Sequence, residues 1–169
     1  LAPMLPSYKK GLMLIDAGSN THCKPLNLLQ FAQMADIYLK NTYNIEKPKI
    51  GLLNIGTEET KGNDLMKESY ILLKENAKKY DINFVGNVEG RDAFSGEIDA
   101  IVTDGFTGNV FLKTVEGFGK LVKRTLKESL KKNILSIIGS IPALPAINRF
   151  AKTMDYREYG GALFLGVKK

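Results

Sequence analysis

Histidine and cysteine are almost missing from this chain of 169 residues, which has one of each, side by side at His22 and Cys23. A single cysteine makes an intrachain disulfide impossible and argues against a cysteine-built zinc site. A single histidine removes histidine-rich metal sites and every histidine-dependent nucleophile system except one placed at His22 itself. For the pair, a structural role is the plainer reading. Long apolar runs are missing as well: none approaches the roughly 18 residues of a membrane span, and no signal peptide precedes the first strand. A soluble protein of a reducing compartment is the expectation that follows. The chain also lacks an initiating methionine and stops soon after an apolar strand, which points to a fragment or to the ordered part of a longer chain. Nucleotide signatures are absent too. The loops DAGSN at 16–20 and GTEETKGN at 56–63 match neither the dinucleotide fingerprint nor the phosphate loop that ends in lysine and serine or threonine. Phosphate ligands stay open, but no nucleotide is named.

What is present is a hydrophobic fraction of 44%, ordinary for a globular protein, and a formal charge of +6. That charge permits acidic proteins, phosphorylated substrates or anionic lipid as partners without choosing among them. Short apolar runs alternate with helical periodicity. Leu12 to Ile15 reads as a strand ending in DAGSN, whose geometry suits a turn or an anion nest. Leu28, Phe31, Ala32, Ala35 and Leu39 then fall on one face of a helix. Ile50 to Ile55 is the next strand and leads into GTEETKGN. There Glu58 and Glu59 could ligate a cation and Lys61 could bind phosphate, or the loop is solvated and Asn63 or Asp64 caps the helix over 64–79. Ile82 to Val85 precedes GNVEGRD, where Arg91 is placed either to hold a phosphate bidentately or to pair with Glu89 or Asp92. The repetition predicts a parallel, right-handed α/β sheet with its polar strand ends gathered at one edge.

Residues 98–113, IDAIVTDGFTGNVFLK, organise the rest. Ile98 to Val102 fits an internal parallel strand, and the cluster Thr103, Asp104, Thr107 and Asn109 follows at its C-terminal end, interleaved with Gly105 and Gly108. In an open α/β sheet this edge is where ligands bind, because loop donors and helix N-termini converge there. Glycine brings backbone N–H groups close to an anion, while Asp104 and Lys113 supply opposite charges for orientation or proton transfer. An ordinary helix cap fits the same residues.

Residues 113–152 form the second distinctive region, with nine Lys or Arg against two Glu, a local excess greater than the +6 of the whole chain. Val115, Phe118, Val122, Leu126 and Leu130 mark an apolar helical face, and Lys120, Lys123, Lys127 and Lys131 recur on the polar side. Beyond it, Pro142 and Pro145 argue against one continuous helix and for a hairpin over about 113–154. Its apolar tip would include Ile134, Ile137, Ile138 and Ile141, and its second helix would run from about Ala146 to Met154. A dimer interface, a tip entering the lipid interface and simple intrachain packing are its three readings. Nucleic-acid binding is disfavoured, because no aromatic residues make a basic stacking surface. Near the end, Tyr156, Tyr159, Gly160 and Gly161 precede an expected strand from Ala162 to Val167.

Taken together, DAGSN at 16–20, CKP at 23–25, GLLNIGTEETKGN at 51–63, NFVGNVEGRD at 83–92, DGFTGNVFLKT at 104–114 and DYREYGGALFLGV at 155–167 closely resemble the PlsX family, the phosphate acyltransferases of bacterial phospholipid synthesis. Ser19 stands where the family usually has Ala, and Thr57 replaces a frequently acidic position. The resemblance implies transfer of a fatty acyl group from acyl carrier protein to inorganic phosphate, giving acyl phosphate for a downstream acyl-phosphate:glycerol-3-phosphate acyltransferase. It implies a homodimer in the cytoplasm, peripherally attached to the inner face of the membrane. It also implies a three-layer α/β/α fold like that of isocitrate and isopropylmalate dehydrogenases, with a projecting helical hairpin and residues 1–169 forming part of that domain. Within it, Asp104, Asn109 and Lys113 are the expected catalytic residues, with Asn109 orienting phosphate or the thioester oxygen and Asp104 orienting the attacking group or helping protonate the departing thiolate. Lys61 and Arg91 are expected phosphate contacts, with Asn20, Asn63, Asn87, Gly105 and Gly108 around them. No metal or cofactor is required. DGFTGN more distantly resembles the Asp-containing loop of phosphotransacetylases. The alternatives are a noncatalytic membrane-binding or scaffold module and a phosphate acetyltransferase using coenzyme A.

Overall fold

The computed structural model describes residues 1–8, 10–131, 141–153 and 162–166. Six strands form one sheet: β1 (Ala2–Pro6), β2 (Gly11–Ile15), β3 (Lys49–Asn54), β4 (Asn83–Glu89), β5 (Ala100–Val102) and β6 (Ala162–Leu163), in the order β4-β3-β5-β2-β1-β6. The four strands from β4 to β2 are parallel, as the βα repetition predicts. β1 and β6 run antiparallel, so the sheet is mixed. β1 was not foreseen, because Pro3 and Pro6 make its segment read as a loop. Its five residues are nevertheless all buried, and Met4 and Leu5 pair with Met13 and Leu12 of β2. Of the described part of the expected final strand, 162–166, Ala162–Leu163 is extended.

Alternation along the strands divides the core in two. Met13 and Ile15 of β2, Ile50 and Leu52 of β3, and Ala100 and Val102 of β5 face helices α1 (Pro25–Tyr43) and α2 (Asp64–Ala77). Those helices contribute Leu28, Ala32, Ala35 and Leu39, and Met66, Tyr70 and Leu73. On the opposite face Leu12, Leu14, Leu53 and Ile101 are covered by Leu112 of α3 (Gly105–Leu130) and Ala93 of a 3-10 turn at Asp92–Phe94. Phe94 and Phe111 stack there, with ring centroids 5.5 Å apart.

α3 begins at Gly105, eight residues before the expected hairpin, because Asp104 caps it and the glycines lie inside its first turns. Past Leu112 the helix leaves the sheet. Val115, Val122, Leu126 and Leu130 are half-buried, but Phe118, off the centre of that stripe, is 61% exposed. A further helix, α4 (Leu144–Thr153), starts two residues before the expected position. The tip around Ile134 to Ile138, the segment Tyr156 to Gly161, and Val167 lie outside the described residues.

Candidate active site at the strand ends

Register brings the C-terminal ends of the parallel strands level: Ile15 lies opposite Val102, Leu52 opposite Val102, and Asn54 opposite Glu89. Everything polar that follows these strands therefore emerges on one edge. The Thr103 amide donates to Ile15 O (2.8 Å) and the Asp16 amide to Thr103 O (3.1 Å), which extends the ladder one residue past the strands and places Asp16 beside Asp104.

Asp104 is buried and caps α3. Its Oδ1 accepts from the Thr107 amide at 2.9 Å and its Oδ2 from the Thr107 hydroxyl at 2.6 Å. The Gly105 amide is taken by Asn20 O (2.8 Å) and the Gly108 amide by Asp104 O (2.9 Å). Among the described residues this leaves the Phe106 amide as the unengaged donor of the first turn, in the position where a helix end attracts an anion. Asn109 follows on the exposed side. A Cβ added at Gly18 would come within 3.5 Å of Asn109 Cβ and Cγ, so the DAGSN backbone lies against the Asn109 side chain.

The DAGSN loop is not an open anion nest. Its amides at Gly18, Ser19 and Asn20 point at the Asp16 carboxylate, at 3.2, 3.1 and 2.6 Å, and the Asn20 side-chain amide donates to the same group at 3.0 Å. Burial pushes the Asp16 carboxyl up, while the hydrogen bonds from the Ser19 and Asn20 amides and the Asn20 side chain pull it down. Cys23 belongs to the same cluster, its thiol donating to Asn20 O at 3.3 Å. Burial raises the Cys23 thiol; the Gly105 amide opposes this, while the negative charges of Asp104 and Asp16 add to it.

The second loop, 56–63, is tied down from two strands. Asn54 Nδ2 donates to Lys61 O (3.0 Å), its Oδ1 accepts from the Ile55 amide (2.8 Å), and Asn87 Nδ2 donates to Glu58 O (2.8 Å). The Lys61 side chain is exposed and has no ion pair among the described residues. Glu59, one of the two acids read as a potential cation ligand, is instead held below its ordinary pKa by hydrogen bonds from Lys74 (2.6 Å) and the Tyr70 hydroxyl (3.0 Å). Asn63 caps α2, accepting from the Met66 amide at 3.0 Å.

Asn20, Asp104, Gly105, Gly108 and Asn109 thus meet around the start of α3, and Asn87 helps hold the loop that carries Lys61. Arg91 pairs with Glu89 at 3.0 Å and approaches Asp92 at 3.7 Å. Lys113 pairs with Glu116 at 3.0 Å, about 13 Å along α3 from its cap at a rise of 1.5 Å per residue. Lys113 therefore lies about two turns beyond the start of α3. Two of the four buried side-chain atoms without a partner among the described residues, Thr103 Oγ1 and Asn87 Oδ1, lie at this edge. Sequence reasoning did not single out Asn54 or assign Asp16 a role. The signal for both was their position: a polar residue directly at a strand end, before a glycine-containing loop.

The family model described as "Fatty acid synthesis protein" matches residues 1–169. The chain belongs to that family. Phosphate acyltransferases of Thermoanaerobacterium thermosaccharolyticum and Clostridium novyi are 48% and 47% identical to it, over 100% and 99% of this chain. These matches bear out the resemblance to the PlsX phosphate acyltransferases. The chain spans about half the length of the curated relatives it matches, 50% and 49% of these two. Among solved structures, EutD phosphotransacetylase from Staphylococcus aureus and a phosphotransacetylase from Streptococcus pyogenes each superpose with a TM-score of 0.55. They are 13% and 16% identical, and the match covers 70% of this chain and 42% and 41% of theirs. The fold is therefore that of the phosphotransacetylases, which corrects the expected isocitrate and isopropylmalate dehydrogenase-like architecture. That expectation came from the family resemblance, and regular βα alternation, common to many doubly wound sheets, does not separate the two.

Proposed function

We propose that this family member, in its full-length form, transfers a fatty acyl group from acyl carrier protein to inorganic phosphate. The observation that carries this reading is the start of α3, where an unengaged amide at Phe106, the Asn109 side chain and a buried hydroxyl at Thr103 cluster at one strand end. A phosphate oxygen attacks the thioester carbonyl carbon, the tetrahedral oxyanion collapses, and the carrier's thiolate leaves with acyl phosphate as the other product. The protein's task is to hold a polyanion beside an electrophilic carbon, which helix-end amides and a lysine do without a covalent intermediate. In this scheme Asn109 donates to the phosphate or to the developing oxyanion, and Lys61 supplies positive charge. Asp104 fixes the first turn, since both of its oxygens are engaged by Thr107.

The same proposal includes a homodimer and a cytoplasmic enzyme held at the inner membrane face, where anionic lipid meets Lys120, Lys123 and Lys127 of α3. A downstream acyl-phosphate:glycerol-3-phosphate acyltransferase then consumes the product. Among the described residues no helix is long and apolar enough to cross a membrane. A steady-state assay of acyl-phosphate formation by the full-length protein tests the scheme. Asn109→Ala is expected to lower catalytic efficiency by about a hundredfold, on the scale of a lost oxyanion donor. Wild-type efficiency in folded Asn109→Ala and Asp104→Asn would defeat the assignment. Running acyl carrier protein against coenzyme A thioesters identifies the donor.

A further inference from the structure

Asp16 is the most enclosed ionisable group at this edge, with none of its surface exposed. An unpartnered buried carboxylate is costly, and this one is satisfied on both oxygens. Oδ1 accepts from the Gly18 and Ser19 amides and Oδ2 from the Asn20 amide and side chain, so one side chain fixes three consecutive backbone positions. The loop it fixes bears on α3 at three points. Asn20 O accepts from the Gly105 amide at 2.8 Å. Gly18 packs on Asn109. The Asp16 carbonyl lies so close to Gly108 that an added Cβ would stand 1.8 Å from it, and one added at Gly105 would stand 2.8 Å from Asp16 Oδ2. Alanine at either helix position would push the loop and the helix apart.

We infer that Asp16 is a positioning residue that sets the placement of Asn109 by locking the DAGSN loop onto the first turn of α3. This rests on the reading of Asn109 given above. Asp16 is fully buried and both of its oxygens are engaged by its own loop, so it acts through Asn109 rather than on substrate. A shift of about 1 Å in a reacting group's partner costs up to roughly a hundredfold in rate. The loop amides that sequence patterning offered to a substrate anion are thereby assigned to an internal one.

A double-mutant cycle in the full-length protein tests the coupling, with kcat, KM for phosphate and melting temperature measured for Asp16→Asn, Asn109→Ala and the pair. Asp16→Asn keeps the shape but replaces an accepting oxygen with a donor. It is expected to lower kcat/KM by about tenfold to a hundredfold, and to add less than about twofold in the Asn109→Ala background. Asn20→Ala, which removes only the 3.0 Å side-chain bond to Asp16 Oδ2, provides a milder second arm if Asp16→Asn does not fold, with the same non-additive pattern expected. Effects that multiply in full, or unchanged kinetics in the Asp16 and Asn20 variants while Asn109→Ala is impaired, would overturn this inference alone. Full activity in Asn109→Ala would overturn the underlying site reading with it.

Discussion

At the scale of single residues the edge is organised by carboxylates that serve the backbone. Asp104 accepts from the Thr107 amide and hydroxyl, so removing the carboxylate leaves a buried helix end uncapped. Asp104→Ala should cost about 1 kcal/mol in chemical denaturation, while Asp104→Asn, which keeps one accepting oxygen, should cost less. Equal stability in both variants would contradict this. Cys23 carries a pH signature. Burial first, then the charges of Asp104 and Asp16, push its thiol above the ordinary cysteine range, so the reactive thiolate is scarce at neutral pH. Alkylation by iodoacetamide, followed by mass spectrometry, should be slower than for an unfolded control at pH 7. Its rate should still be rising above about pH 10, where a free thiol has nearly levelled off. Matching pH profiles for the folded and unfolded chains would remove the argument.

At the scale of elements, the close approach of α3 to the β2 end explains both what the sequence made legible and what it did not. The strand-turn-helix reading of 98–113 found the strand and the helix after it and kept an Asp104 cap as one of two readings, because an apolar run followed by Asp, Gly and a 3.6-residue period is a local pattern. The helix nevertheless starts at Gly105, inside the segment read as a turn. That the same glycines serve loop packing depends on a contact with Asp16, 92 residues earlier than Gly108, and no window of sequence contains it. Gly108→Ala is expected to destabilise the protein by about 1 to 3 kcal/mol through overpacking and to depress activity, as measured by denaturant unfolding and the acyl-phosphate assay. A stable, fully active Gly108→Ala would show that the contact yields freely. β1 stayed hidden for a different reason: two prolines in seven residues suppress a strand reading, yet its pairing with β2 and β6 is set by the complete sheet. Arg91 was read either as a phosphate contact or as a partner of Glu89 or Asp92, and Lys113 as an expected catalytic residue from the family resemblance. Their local acids, Glu89 and Glu116, are what the structure finds beside them.

At the scale of the whole molecule, charge is segregated. The polar strand-end loops gather at one edge of the sheet, and α3 carries a ridge of cations leading away from it. Lys120, Lys123 and Lys127 are exposed, and each is worth up to about 1 kcal/mol beside anionic lipid. Replacing all three with Glu in the full-length protein should sharply reduce co-sedimentation with phosphatidylglycerol vesicles and leave acyl-phosphate formation in detergent-free solution unchanged. Undiminished sedimentation would remove α3 from the membrane account. The alternation of strands and helices was readable because burial imposes its period on composition. The particular doubly wound architecture was not, since it resides in strand order and in the antiparallel β1 and β6, which periodicity does not encode. The claim on which the mechanism depends is that phosphate sits at the head of α3, and a crystal structure of the full-length protein soaked with inorganic phosphate addresses it directly. The account predicts the anion within hydrogen-bonding distance of the Phe106 amide and the Asn109 side chain. Phosphate bound only elsewhere, with this helix end in contact with neither phosphate nor thioester, would contradict it.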